Sequence, residues 1–224
     1  MAAFSINNIS KKQQLQWLKV VTHIGSLIPL IWLYIDYYTY NLGSDEINTA
    51  ILRTGYPAIF LLVLSLAITP LNTIFGWSIL GPLRKPLGLY AFMYAMLHLL
   101  IFAVIDYGLD LGVVWTEIIS RQYALFGFGS LLVMLPLALT STKWAMRKLG
   151  KKWKTLHKAV YLSAILAVVH YIWQAKNDYN YPATFAVILT VFLVLRFDVI
   201  KSRIVAYRKE RAKAAKAKQK KAAA

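Results

Sequence analysis

The chain has 224 residues, 58% hydrophobic and 16% charged, with 26 basic against 9 acidic side chains, a net charge of +17 and a mean hydropathy of +0.52. A soluble domain is roughly 45–50% apolar and about a quarter charged, so this balance excludes a water-soluble globule and points to a domain lying in a bilayer. There is no cysteine, which excludes disulfides, thiolate metal sites, iron–sulfur clusters and a cysteine nucleophile.

A membrane helix needs about 20 mostly apolar residues. Six stretches answer to that requirement, at 17–38, 56–75, 87–107, 123–140, 156–173 and 181–197. Backbone in lipid must satisfy its own hydrogen bonds, so runs of this length read as helices. Tyr and Trp gather at their ends, as in Trp17, Tyr38, Tyr107, Trp115, Trp173 and Tyr181, where amphipathic rings meet the headgroups. The first stretch is too long for a removable signal, and no small-residue cleavage site follows it.

Basic residues set the orientation. Of the 26, all but Arg53, Arg121 and Lys176 fall before or near the start of the first span, in the second connection, in the fourth connection and just after it at Lys158, or from Arg196 at the end of the sixth span onward. The expectation is an all-α integral membrane protein, a six-transmembrane-helix bundle with both termini cytoplasmic. Its parts are an N-terminal arm (1–16), the membrane domain (17–200) and a basic Lys/Ala-rich tail (201–224). The tail reads as a helix lying near anionic lipid, with nothing aromatic or motif-like to suggest nucleic acid. No internal repeat, phosphate-cradling glycine loop or extramembrane nicotinamide-binding module is visible in the sequence.

All four histidines fall in or beside spans: His23 in the first, His98 in the third, His157 and His170 in the fifth. Ionisable groups inside a membrane are costly and are functional candidates by default. Four is too few for a histidine-rich di-iron site and suits haem, whose iron takes two axial imidazoles from facing helices. At 1.5 Å per residue, His98 lies about 16 Å and His170 about 21 Å above the cytoplasmic start of their spans. The two helices run in the same direction, so a macrocycle between them could take both imidazoles.

His157 lies about 20 Å below His170, a sensible spacing for a second, inner haem. On a straight helix the two side chains would point about 140° apart, so a bend or different approach angles would be needed. The residue 13 before His98 is Lys85, which leaves an inner haem without an obvious second histidine. His23, about 9 Å into its span, is read either as a haem or quinol residue or as a packed, hydrogen-bonded histidine. Arg84 and Lys85 could meet haem propionates or a flavin phosphate. Arg53 stands out as a cation before the second span on the poorly charged side, a candidate for a propionate or partner contact.

Five segments carry a resemblance: WLKVVTHIGSLIPLIWL, RTGYPAIFLLVLSLAITPL, PLRKPLGLYAFMYAMLHLL, LTSTKWAMRKLGKKWKTLHKAVYL and AVVHYIW. The chain resembles, from about residue 16 to 196, the haem-binding membrane subunits of periplasmic methionine sulfoxide reductase systems, within the ferric-reductase-like transmembrane superfamily. The resemblance implies a bacterial inner-membrane protein with haem b, one or two, and FMN. It implies electron delivery to a periplasmic molybdopterin-containing catalytic subunit that repairs oxidised proteins, with quinol or a cytosolic flavin reductase as donor. Its haem histidines fall on His98, His157 and His170. At Lys85 this chain departs from the four-histidine ferric reductases. Two other classes stand beside this one: a stand-alone ferric or quinone reductase, and a small transporter using its histidines for proton relay. The first lacks a nicotinamide and flavin module, and the second lacks acidic residues inside the spans.

Overall fold

A computed structural model describes residues 10–175 and 179–222. Residues 1–9 of the arm, and Lys176 and Asp178 in the last outer connection, lie outside the described residues. The elements in order are α1 (Lys11–Tyr38), α2 (Glu46–Phe75), a 3-10 turn (Ser78–Leu83), α3 (Arg84–Leu100) running into a π-helical turn (Ile101–Asp106), α4 (Leu111–Ser120), α5 (Gln122–Leu139), α6 (Lys143–Leu149), α7 (Lys151–Leu156), a 3-10 turn (His157–Ala159), α8 (Val160–Gln174), α9 (Asn180–Val194) and α10 (Asp198–Ala222). Among the described residues there is no strand.

Five stretches are long and apolar enough to cross a membrane: Lys11–Tyr38, Glu46–Phe75, Ser78–Asp106, Gln122–Leu139 and Lys151–Gln174. A sixth is reached when α9 is counted with α10, which turns from it by 75°. The core forms where α2 and α3 pack together and α5 packs on α8, around Leu62, Leu66, Ala91, Tyr94, Ala164 and Val168. The outside is apolar, with Ile24, Ile28, Trp32, Phe60, Leu132 and Val187 exposed, as a surface facing hydrocarbon should be.

The second span begins ten residues earlier than the apolar run suggests. Asp45 caps α2 by accepting from the Asn48 amide, and Glu46 sits in the first turn. Arg53 therefore does not precede the span; it lies in the second turn of α2. The helix carries this cation because Asp36, at the end of α1, forms an ion pair with it. The outer connection after the third span is not irregular either. Asp110 accepts from the Gly112 and Val113 amides and starts α4, whose Val114 and Ile118 pack on Ala103.

Prolines inside helices free carbonyls, and long side chains answer them. Pro70 cannot donate to Leu66. Arg196, just past α9, donates to that Leu66 carbonyl at 2.6 Å and also to the Tyr161 hydroxyl. Near Pro29 in α1, the Tyr94 hydroxyl donates to the Ser26 carbonyl (2.7 Å) and accepts from the Leu30 amide (3.1 Å), entering the helical ladder itself. Gly76 closes α2 with φ 76°, a left-handed cap that suits glycine. Arg208 of α10 donates to the last carbonyls of α2, Asn72 (2.7 Å) and Thr73 (3.0 Å), a cation at a helix C-terminus. The tail helix is thus held against the end of α2.

Candidate haem-binding site

The two histidines placed at similar heights by helix arithmetic meet. His98 on α3 and His170 on α8 have ring centroids 6.1 Å apart, with planes at 82°. Metal–imidazole bonds of about 2 Å on either side of one ion, with the two ring radii added, come to about 6 Å. Each ring is oriented by its second nitrogen. His98 Nδ1 donates to the Ile51 carbonyl of α2 at 2.8 Å, and His170 Nδ1 donates to the Tyr123 carbonyl of α5 at 2.7 Å. A proton held on Nδ1 leaves Nε2 as the lone-pair nitrogen. Ligating histidines are oriented in this way, by a carbonyl that fixes tautomer and direction.

Among the described residues no group of three or more His, Asp and Glu gathers as a metal cage. Two neutral imidazoles are the whole protein donor set here. That suits a metal whose other positions are filled by a macrocycle, because haem brings four nitrogens of its own. The residues fit haem.

His157 stands apart from this pair. The helix tightens into a 3-10 turn at His157–Ala159 before α8 begins, within the single stretch Lys151–Gln174. Its Nδ1 donates to the Trp153 carbonyl (3.1 Å), its Nε2 lies 3.4 Å from Ser141 Oγ, and its ring stacks on Trp153 at 3.8 Å. Trp153 in turn donates to the Thr140 carbonyl at the end of α5. Arg84 and Lys85 are exposed at the start of α3.

His23 is exposed on α1 and bonds Tyr90 of α3, Nδ1 to the hydroxyl, at 2.9 Å. Tyr90, Tyr94 and His98 follow at four-residue spacing and form one stripe along α3. Arg53 is engaged by Asp36, so the structure gives it an ion pair within the chain.

Sequence reasoning missed the Ile51 and Tyr123 carbonyls, because backbone acceptors carry no side-chain signal. It also missed Trp153 and Tyr90, which were readable only as belt or core aromatics.

Compared with known families, residues 54–168 match the family described as ferric reductase like transmembrane component. That stretch contains His98 and His157 and ends two residues before His170. Proteins named protein-methionine-sulfoxide reductase heme-binding subunit MsrQ, from Salmonella paratyphi B, Salmonella newport and Salmonella heidelberg, are each 39% identical to it over 186 residues. The alignments cover 83% of this chain and 94% of theirs. No solved structure matches the chain.

Proposed function

This chain belongs to the ferric-reductase-like transmembrane family and, within it, to the MsrQ haem-binding subunits, and we propose that it carries electrons across the bacterial inner membrane from the quinol pool, or a cytosolic flavin reductase, to a periplasmic molybdopterin-containing methionine sulfoxide reductase. Family membership supports the coarse role, membrane electron transfer with haem. The observation that carries the finer reading is the His98–His170 pair, 6.1 Å apart with both Nδ1 atoms held by carbonyls.

Haem bound at this pair supplies a one-electron iron couple. His98 and His170 would hold the iron through Nε2, while the Ile51 and Tyr123 carbonyls fix the tautomer and aim the rings. α4 packs through Val114 and Ile118 on Ala103, two turns or less beyond His98 on the same span. His157 is the ligand of an inner haem in this reading, and its stacked Trp153 fixes the ring. Arg84 and Lys85 are the cations for a propionate or, through the resemblance, for the FMN phosphate. An absorption spectrum of the purified protein tests the reading: low-spin b-type bands are expected, and a colourless protein that stays colourless with added haem overturns it.

The donor side is supported by His23. It presents an imidazole towards lipid, bonded to Tyr90. Tyr90 stands about 12 Å along α3 from His98. His23→Ala should leave the haem spectrum intact and slow haem reduction by decyl-ubiquinol several-fold. Stopped-flow reduction at the wild-type rate would remove His23 from the donor path.

The acceptor side is the end that carries His98 and His170. Four acids there are already engaged: Asp36 with Arg53, Glu117 with Arg121, and Asp45 and Asp110 as caps. Glu46 and Asp106 are exposed and are the acids to alter. Reversing both to Lys should slow haem oxidation by the soluble reductase, with the defect shrinking at high salt, since such charges act mainly on association rate. Reduction by quinol should be unchanged. An oxidation rate unaffected at low salt would place the docking face elsewhere.

A further inference from the structure

His98 and His170 are bound in the same way from the same distance along the chain. The acceptor carbonyl precedes its histidine by 47 residues in both cases, Ile51 for His98 and Tyr123 for His170. Four residues after each acceptor stands a glycine, Gly55 on α2 and Gly127 on α5. Each glycine lies against the ring. A Cβ on Gly55 would sit 3.0 Å from both Cε1 and Nδ1 of His98; one on Gly127 would sit 2.7 Å from Nδ1 and 2.9 Å from Cε1 of His170. Ile51, Gly55 and His98 therefore map onto Tyr123, Gly127 and His170 at one constant offset. The same offset brings Lys85 onto His157. The helix pairs α2–α3 and α5–α8 are the two tightly packed pairs of the bundle.

The two helix pairs thus share one arrangement of carbonyl, glycine and imidazole in space. In sequence little besides the glycine and the histidine is shared: RTGYPAIFL corresponds to LFGFGSLLV. What is shared is what the geometry needs. In a helix the carbonyl four residues back already accepts from the glycine amide. A carbonyl has a second lone pair, and the imidazole can reach it only by lying where a side chain at the glycine would stand.

We propose that Gly55 and Gly127 are positioning residues that seat the two axial imidazoles on the Ile51 and Tyr123 carbonyls. This rests on the reading of His98 and His170 as haem ligands. Each seat sets the height and rotation of one imidazole, so the pair fixes the crossed planes and the strength of both Nδ1 hydrogen bonds. Those bonds govern ligand basicity and hence the iron's spin state and potential.

The test uses the haem-loaded protein in detergent, read by electron paramagnetic resonance and by dye-mediated redox titration. Gly127→Ala, at the tighter seat, should lose most of its low-spin signal to high-spin iron, while Gly55→Ala should shift its low-spin g-values and midpoint with less loss. Gly129→Ala is the control two residues away, since its Cβ would meet only Leu166 Cδ1 at 3.8 Å, and it should match the parent. Seat variants with the parent's g-values and midpoint overturn the proposal, as does a Gly129→Ala variant that shifts as far as they do. Should Gly127→Ala fail to accumulate, Gly55→Ala decides alone. His98→Ala and His170→Ala separate the two levels: loss of low-spin haem in these with unchanged seat variants sinks only the seats, whereas low-spin haem surviving in both sinks the ligand assignment beneath them.

Discussion

Replacing either His98 or His170 with Ala is expected to abolish one low-spin haem. A mutated core residue usually costs a few kcal/mol through lost packing. Here the larger effect expected is loss of the cofactor, because a haem at this site would keep only one of the two imidazoles that would hold it. The two substitutions should resemble each other, since each removes one of two equivalent bonds. Haem content by pyridine haemochrome and the visible spectrum give the readout. The competing account is two histidines bonded to carbonyls across helix interfaces for packing alone. On that account both variants would keep the parent's spectrum, which would overturn the assignment. His157→Ala should leave the outer haem untouched, because His157 is held by Trp153 and Ser141 in a separate turn.

The membrane class and most span positions were legible because lipid leaves the backbone few options. The His98–His170 meeting was legible for a related reason: rise per residue is fixed in a helix, and two spans of the same direction share a height scale. What could not be read depends on partners far along the chain. Arg53 read as a stray cation until Asp36 was placed beside it. Pro70 announces a freed carbonyl at Leu66, but nothing local says that Arg196 will meet it. The angle between His157 and His170 called for a bend or different approach angles, and the 3-10 turn at His157–Ala159, with Trp153 stacked on His157, came only with the structure. The short α4 was passed over because ten residues between spans read as a connection. Gly55 and Gly127 were invisible as functional residues, since glycine in an apolar run signals nothing about which ring will press against it.

A reporter active only in the periplasm should be silent when fused after Ala224 and active when inserted at Gly43 or Gly108. The inner placement of both termini rests on the basic residues, which crowd one end of the bundle. The geometry adds a constraint of its own. His170, near the end of α8, lies beside His98 and the start of α2. Arg208 of α10 grips the opposite end of α2, at Asn72 and Thr73. Between α8 and α10 the chain has to return from one end of the bundle to the other, and α9 is the element that makes the return. Its 15 residues span about 22 Å, short of a hydrocarbon core of about 30 Å. Exposed Tyr179 and Phe197 flank it and can sit in the interfaces to make up the difference. Arg196, immediately after α9, reaches Leu66 and Tyr161 well below the histidine pair. An active fusion after Ala224 together with active insertions at Gly43 and Gly108 would mean that α9 does not cross. It would also require the Arg208 contact with α2 to be broken, so Arg208→Ala would then leave thermal stability in detergent unchanged. A silent C-terminal fusion with a stability loss in that variant is the outcome the six-pass arrangement demands.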